Sequence, residues 1–211
     1  MDIALRNTVK KQLLWVALVS ISMFFASMLS AFIVEKADVG NWKDFILPVA
    51  SFKIEINAET VPIWFGEEYE RSFDVGYFLI STSIIIFSSF LLFFIKPLLK
   101  KGKSIFSLVF IVLILGILFT YFQIKGWQEL TNQGVYLTGV GSNVAGSFLY
   151  ILTLTHLLHL FGGLVGLCIS TIKSKQNLYS INNYLGLELT TIYWHFLTIL
   201  WIILFSFLKF Y

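Results

Sequence analysis

The sequence predicts an all-α fold of about five membrane-crossing helices, and three observations lead to it. Hydrophobic residues fill 57% of the 211 positions and charged ones 13%, against roughly 45–50% and 25% in soluble domains. So little polar surface cannot cover a globule in water, whereas a bilayer suits it. Five long apolar runs occur at about 13–34, 75–95, 105–122, 144–171 and 185–207. Each reaches or approaches the ~20 residues that carry a helix across ~30 Å of hydrocarbon. Finally, the charges segregate by connection, which a membrane imposes and a soluble fold does not.

The first run follows Arg6, Lys10 and Lys11. It exceeds the roughly 7–15 residues of a signal-peptide core and lacks a small-residue cleavage site, so a retained helix is expected. The segment 35–74 is acidic, with Glu35, Asp38, Asp44, Glu55, Glu59, Glu67, Glu68, Glu70 and Asp74 against few bases. Within it Phe52, Ile54 and Ile56 alternate with polar residues, the period of a short strand. Trp42, Trp64, Phe65 and Tyr69 suit a cap lying on the membrane surface. The link between the second and third runs carries Lys96, Lys100, Lys101 and Lys103 without an acid. Gly139 and Gly141 follow no strand and read as a turn before the fourth run, which is long enough to tilt or project from lipid. Lys173 and Lys175, again without an acid, precede the fifth run. Basic segments remain cytoplasmic, so the N-terminus is expected inside and the C-terminus outside, in a multi-pass protein of a bacterial inner membrane.

A single bundle over 1–211 is expected, since no repeat, linker or low-complexity stretch divides the chain. No phosphate-binding loop or dinucleotide fingerprint is present, and the lysines sit where topology wants them, so nucleic-acid binding has no support. Cys168 is alone in an apolar run and reads as a small buried hydrophobe.

Polar residues within lipid are costly and mark partners or function. His156 and His159, three positions apart, share one helix face, and Glu188 and His195 lie on the next helix. Two readings stand: ligands for a metal or haem iron, or interhelical hydrogen-bonding groups. The first three helices offer no supporting carboxylate or histidine, which favours the second. No catalytic, cofactor or metal residue is therefore assigned. His159, His195 and Glu188 are expected to fasten the last two helices together. Gly162 and Gly166, widened by Gly163, form a small-residue face for close helix approach, or reflect ordinary glycine usage in membrane helices.

These residues also carry a resemblance. Gly146-Ser147 followed by His156 and His159, then Glu188 followed by Tyr193-Trp194-His195-Phe196 and Trp201, resemble the last two helices of haem–copper oxidase subunit III. Gln123 and Trp127 are similar to that family's Gln…Trp pair, and Ser20, Met23-Phe24-Phe25 and Ala31-Phe32 to its Phe-Phe helix. The chain departs from the family where carboxylates are common: Ile21, Gly126 and Thr198 stand there instead. The resemblance implies a five-helix, non-catalytic subunit of a terminal oxidase, with haem and copper on its partners. Subunits I and II, membrane lipid and a larger respiratory supercomplex are the implied partners; complex stability and proton uptake are the implied roles. A nitric oxide reductase accessory protein of the same superfamily and a small bis-histidine cytochrome are the alternatives. A transporter is disfavoured, because no inverted repeat or broken helix is evident.

Overall fold

Five helical segments are long and apolar enough to cross a membrane: Leu5–Val34, Gly76–Lys100, Phe106–Asn132, Ser147–Lys175 and Leu185–Phe207. The computed structural model describes residues 3–46, 55–56, 59–60, 76–132, 137, 144–180 and 183–210. Its helices are α1 (Ile3–Ile46), α2 (Gly76–Leu92), α3 (Ile95–Lys100), α4 (Phe106–Asn132), α5 (Val144–Lys175) and α6 (Leu185–Phe210). A short antiparallel pair, β1 (Glu55–Ile56) with β2 (Glu59–Thr60), lies in the acidic segment. Of the alternating residues expected there, Ile56 falls in β1; Phe52, Ile54, Trp64, Phe65 and Tyr69 lie outside the described residues, as do Gly139 and Gly141.

The helices outrun their apolar cores. The backbone of α1 stays helical to Ile46, twelve residues into the segment expected as loop, in a stretch with no proline before Pro48. Helix α4 reaches Asn132 rather than stopping near 122, because Gln123, Gly126 and Leu130 of its polar tail are buried against neighbouring helices. The second span continues through a turn at Phe93 and Phe94 into α3, so it is broken where no broken helix was expected. Pro97 is the cause: it has no N–H for the Phe93 carbonyl, and its ring would meet that carbonyl in a straight helix. The backbone tightens there, with Phe93 N–H donating to Phe90 O at 3.2 Å and Phe94 N–H to Leu91 O at 3.1 Å.

Two helix ends share one design. Lys103 N–H donates to Leu98 O and Gly102 N–H to Leu99 O around left-handed Gly102, at φ 64°. Leu178 N–H donates to Lys173 O and Asn177 N–H to Ser174 O around Asn177, at φ 53°. Both are paired-bond terminations that need a residue tolerant of positive φ.

Helices α2, α4, α5 and α6 form the core, and α1 lies outside against α5 and α6. Ile85, Val109, Val112, Phe119, Leu160, Leu167, Trp194 and Leu197 are wholly enclosed. Leu13, Val16, Met23, Phe87, Phe161 and Ile203 point outward, while Ser81, Ser88, Gln123, Thr153, His156 and Thr198 are buried. That inversion is stable only where lipid is the solvent.

Candidate functional site: an interhelical polar network

Helix α2 carries two hydroxyl pairs, Ser81-Thr82 and Ser88-Ser89, seven residues apart and so on one face. Each of Ser81, Thr82 and Ser88 gives its hydrogen to a carbonyl on its own helix: Phe78 O at 2.9 Å, Phe78 O at 2.6 Å and Ile85 O at 2.7 Å. Their oxygens are then free to accept from other helices. Gln123 Nε2 of α4 donates to Ser81 Oγ at 2.9 Å, Trp201 Nε1 to Thr82 Oγ1 at 2.9 Å, and Trp194 Nε1 to Ser88 Oγ at 3.0 Å. Ser89 Oγ shares a hydrogen bond with His195 Nδ1. From Thr82 to Ser88 along α2, the α6 partner steps back from Trp201 to Trp194, so the two helices run antiparallel. Every serine and threonine of this comb went unassigned from sequence; their seven-residue recurrence, matched by Trp194 and Trp201, was the available signal.

The histidines do not fasten α5 to α6 in the expected way. His195 holds α6 to α2, with Phe93 stacked on its ring at 4.5 Å. His159 Nδ1 donates to Thr155 O of its own helix at 2.8 Å, and its ring meets Phe25 of α1 edge-on at 5.6 Å. Its backbone carbonyl makes the α5–α6 link, accepting from Tyr193 Oη at 3.0 Å. His156 is fully enclosed between Phe119 and Trp201, ring centres 6.2 and 5.1 Å away, and neither ring nitrogen has a hydrogen-bond partner.

Glu188 also departs from expectation. Its carboxylate pairs with Lys11 of α1 at 2.9 Å and Lys96 of α3 at 3.5 Å, and only 16% of its side chain is exposed. One carboxylate thus joins two of the three basic segments, at one end of the bundle. Glu188, Lys96 and His195 line a common cavity of about 240 Å³ between α2–α3 and α6.

Among the glycines, the close approaches are made at Gly163 and Gly166 of α5 and at Gly116 and Gly126 of α4. A Cβ on Gly163 would sit 3.0 Å from Leu197 and 3.2 Å from Trp194, and one on Gly166 3.3 Å from Thr190. Gly162, expected to share this face with Gly166, is exposed and meets only Tyr193 Oη at 3.7 Å. Cβ atoms on Gly116 and Gly126 would come within 2.7 Å of Trp194 and Phe78 respectively. Trp127 Nε1 donates to Thr153 Oγ1 at 3.1 Å, tying α4 to α5. Phe196 packs between the two apolar clusters. Cys168 is exposed on α5 rather than buried, facing where lipid would lie. No three His, Cys, Asp or Glu side chains converge on a metal-sized point among the described residues.

The family model "Cytochrome c oxidase subunit III" matches residues 73–211, which hold α2 to α6 and the whole comb. The chain is 28% identical over 188 residues to "Probable cytochrome c oxidase subunit 3" of Nocardia farcinica, covering 87% of this chain and 79% of that one. It is 30% identical over 109 residues to "Cytochrome c oxidase subunit 3" of Rhipicephalus sanguineus, covering 52% of this chain but 40% of the relative. It is also 29% identical over 143 residues to "Probable quinol oxidase subunit 3" of Staphylococcus saprophyticus, covering 67% and 70%. Some relatives are thus matched over less than half their length.

Proposed function

The chain belongs to the cytochrome c oxidase subunit III family, and from that premise we propose that it is a non-catalytic, multi-pass subunit of a haem–copper terminal oxidase. The family match across α2–α6 carries the proposal. The geometry supports a structural role: the tryptophan, glutamine and His195 side chains of the core bind other helices. Haem and copper belong on partner subunits I and II in this reading. Relatives carry both cytochrome c and quinol oxidase names, so the proposed role is the one common to both, irrespective of electron donor.

In this reading the lysine-bearing end, where Glu188 pairs with Lys11 and Lys96, faces the cytoplasm of a bacterial inner membrane, and the charge segregation supports it. The outward faces of α1 and α4–α6, rich in exposed apolar side chains, supply the surface for subunit I and for lipid. Complex stability, with proton uptake sustained through it, is the service this chain performs.

The test is purification of the tagged chain from its own membrane in mild detergent, with mass spectrometry of its companions. A haem-bearing, copper-bearing oxidase that consumes oxygen should accompany it. Recovery alone, or with a partner that consumes nitric oxide but not oxygen, would overturn the proposal.

A further inference from the structure

At the lysine-bearing end, a cavity of about 510 Å³ opens between the α3–α4 turn and the C-terminal end of α5. It is distinct from the His195–Glu188 cavity and is not part of the comb. Among the described residues its polar lining is one cation, Lys103, with Ser104, Ser174, Asn177, Tyr179 and Ser180, and no carboxylate. The two left-handed terminations, at Gly102 and Asn177, turn the two segments around it.

Ser174 is the informative member. Ser20, Ser81, Ser83 and Ser88 each donate to a carbonyl three or four residues earlier, the usual resolution for a hydroxyl in a membrane helix. Ser174 Oγ makes no such bond, although the residue is only 3% exposed. A buried hydroxyl without a partner is costly, so a lining that retains one is incomplete without a ligand. An acceptor suits this lining best, since its ammonium can only donate and its side-chain amide and four hydroxyls can donate as well. It must also tolerate a net positive field, because Lys100, Lys101, Lys173 and Lys175 stand on the adjoining segments without an acid between them. A metal ion meets neither condition.

We propose that this cavity binds a phosphate oxyanion, with Lys103 supplying the charge and Ser174 an inward hydrogen bond. The phosphate has two sources, a lipid headgroup at the membrane surface or a soluble phosphate. The proposal goes beyond the oxidase reading: the cavity lies within this chain, so its test stands whichever partners the chain has.

The experiment is native mass spectrometry of the delipidated full-length protein in its purified assembly, titrated separately with dioleoylphosphatidylglycerol and with inorganic phosphate. One saturable adduct per chain is expected, weakened about tenfold or more by Lys103→Gln, as loss of a charge-assisted hydrogen bond requires. Ser174→Ala should weaken it about threefold or more, while Lys101→Gln, outside the lining, should leave it within twofold. An adduct with phosphatidylglycerol alone identifies a lipid headgroup; one with inorganic phosphate, competing with lipid, identifies the soluble anion. No saturable adduct with either probe, or equal weakening by Lys101→Gln and Lys103→Gln, would overturn the proposal.

Discussion

Gly116→Ala should destabilise the bundle although it improves the helix, and the sizes of the two effects decide the sign. Alanine is favoured over glycine inside a helix by about 1 kcal/mol. Against that gain, the new methyl lies 2.7 Å from Leu164 Cδ2, 2.7 Å from Trp194 Cη2 and 3.1 Å from Trp194 Cζ2. Leu164 is half-buried and its terminal methyl can rotate away. Trp194 cannot: it is fully enclosed, and its indole nitrogen is tied to Ser88 Oγ at 3.0 Å. Forcing a methyl into such a core costs about 1–3 kcal/mol, and stretching the indole bond about 1 kcal/mol more. The balance is a net loss of about 1–3 kcal/mol, taking the helix gain of ~1 kcal/mol into account. Gly162→Ala is the matched control, since its methyl meets only Tyr193 Oη at 3.7 Å; it should be neutral or stabilising. Unfolding of the purified protein in a graded detergent series, followed by circular dichroism, measures both. Equal stability of Gly116→Ala and Gly162→Ala would refute the reasoning.

Glu188→Gln should free the start of α1, seen as faster trypsin cleavage at Lys11. The pairing lysines are 42% and 61% exposed, so each pair contributes under about 1 kcal/mol. High salt should mimic the substitution in wild type and add little to the variant. His156→Leu should hold or raise stability by up to about 2 kcal/mol, because it removes buried nitrogens with no partner. His195→Leu should instead lose about 1–2 kcal/mol by stranding Ser89; the reverse order in a thermal series would contradict the assigned contacts. A double-mutant cycle of Trp201→Phe with Thr82→Val should give a coupling near ~1 kcal/mol, and additive losses would mean the 2.9 Å bond contributes nothing.

What was legible from sequence was what the bilayer imposes directly. Apolar length set the five spans, and Lys11, Lys96 and the lysines around 173–175 marked one end, where Glu188 pairs with the first two. The helix ends were less legible, because packing set them. The polar tail from Gln123 to Asn132 looks like a loop until Ser81, Phe78, Thr153 and Tyr150 are seen against it. The network was misjudged because charge and ionisability drew attention to histidines and Glu188. The partners that matter on α2 are serines and threonines, which in lipid ordinarily satisfy themselves and so raise no alarm. Pro97 marks the break between α2 and α3, which a reading by apolar length alone did not assign.

The three positions where the family likeness would place carboxylates show how this chain's interior has been closed to them. Ile21 packs into the apolar cluster of Phe25, Leu152 and Leu204. Thr198 turns its hydroxyl back to Trp194 O at 3.0 Å. At Gly126 the space is filled from across the interface: the Phe78 ring would lie 2.7–3.0 Å from a Cβ, and it stacks in turn on Trp201 at 6.4 Å. Gly126→Glu should therefore fail for two separable reasons, the collision with Phe78 and the burial of a carboxylate, each worth several-fold in yield of folded protein. Phe78→Ala alone loses about 3–5 kcal/mol of core packing. The pair Gly126→Glu with Phe78→Ala should nevertheless be less damaging than the sum, since the cavity left by one receives the side chain of the other. Folded yield and melting of the four proteins measure that coupling. If the double variant is as poor as the summed single losses, Phe78 is not what excludes a side chain at 126.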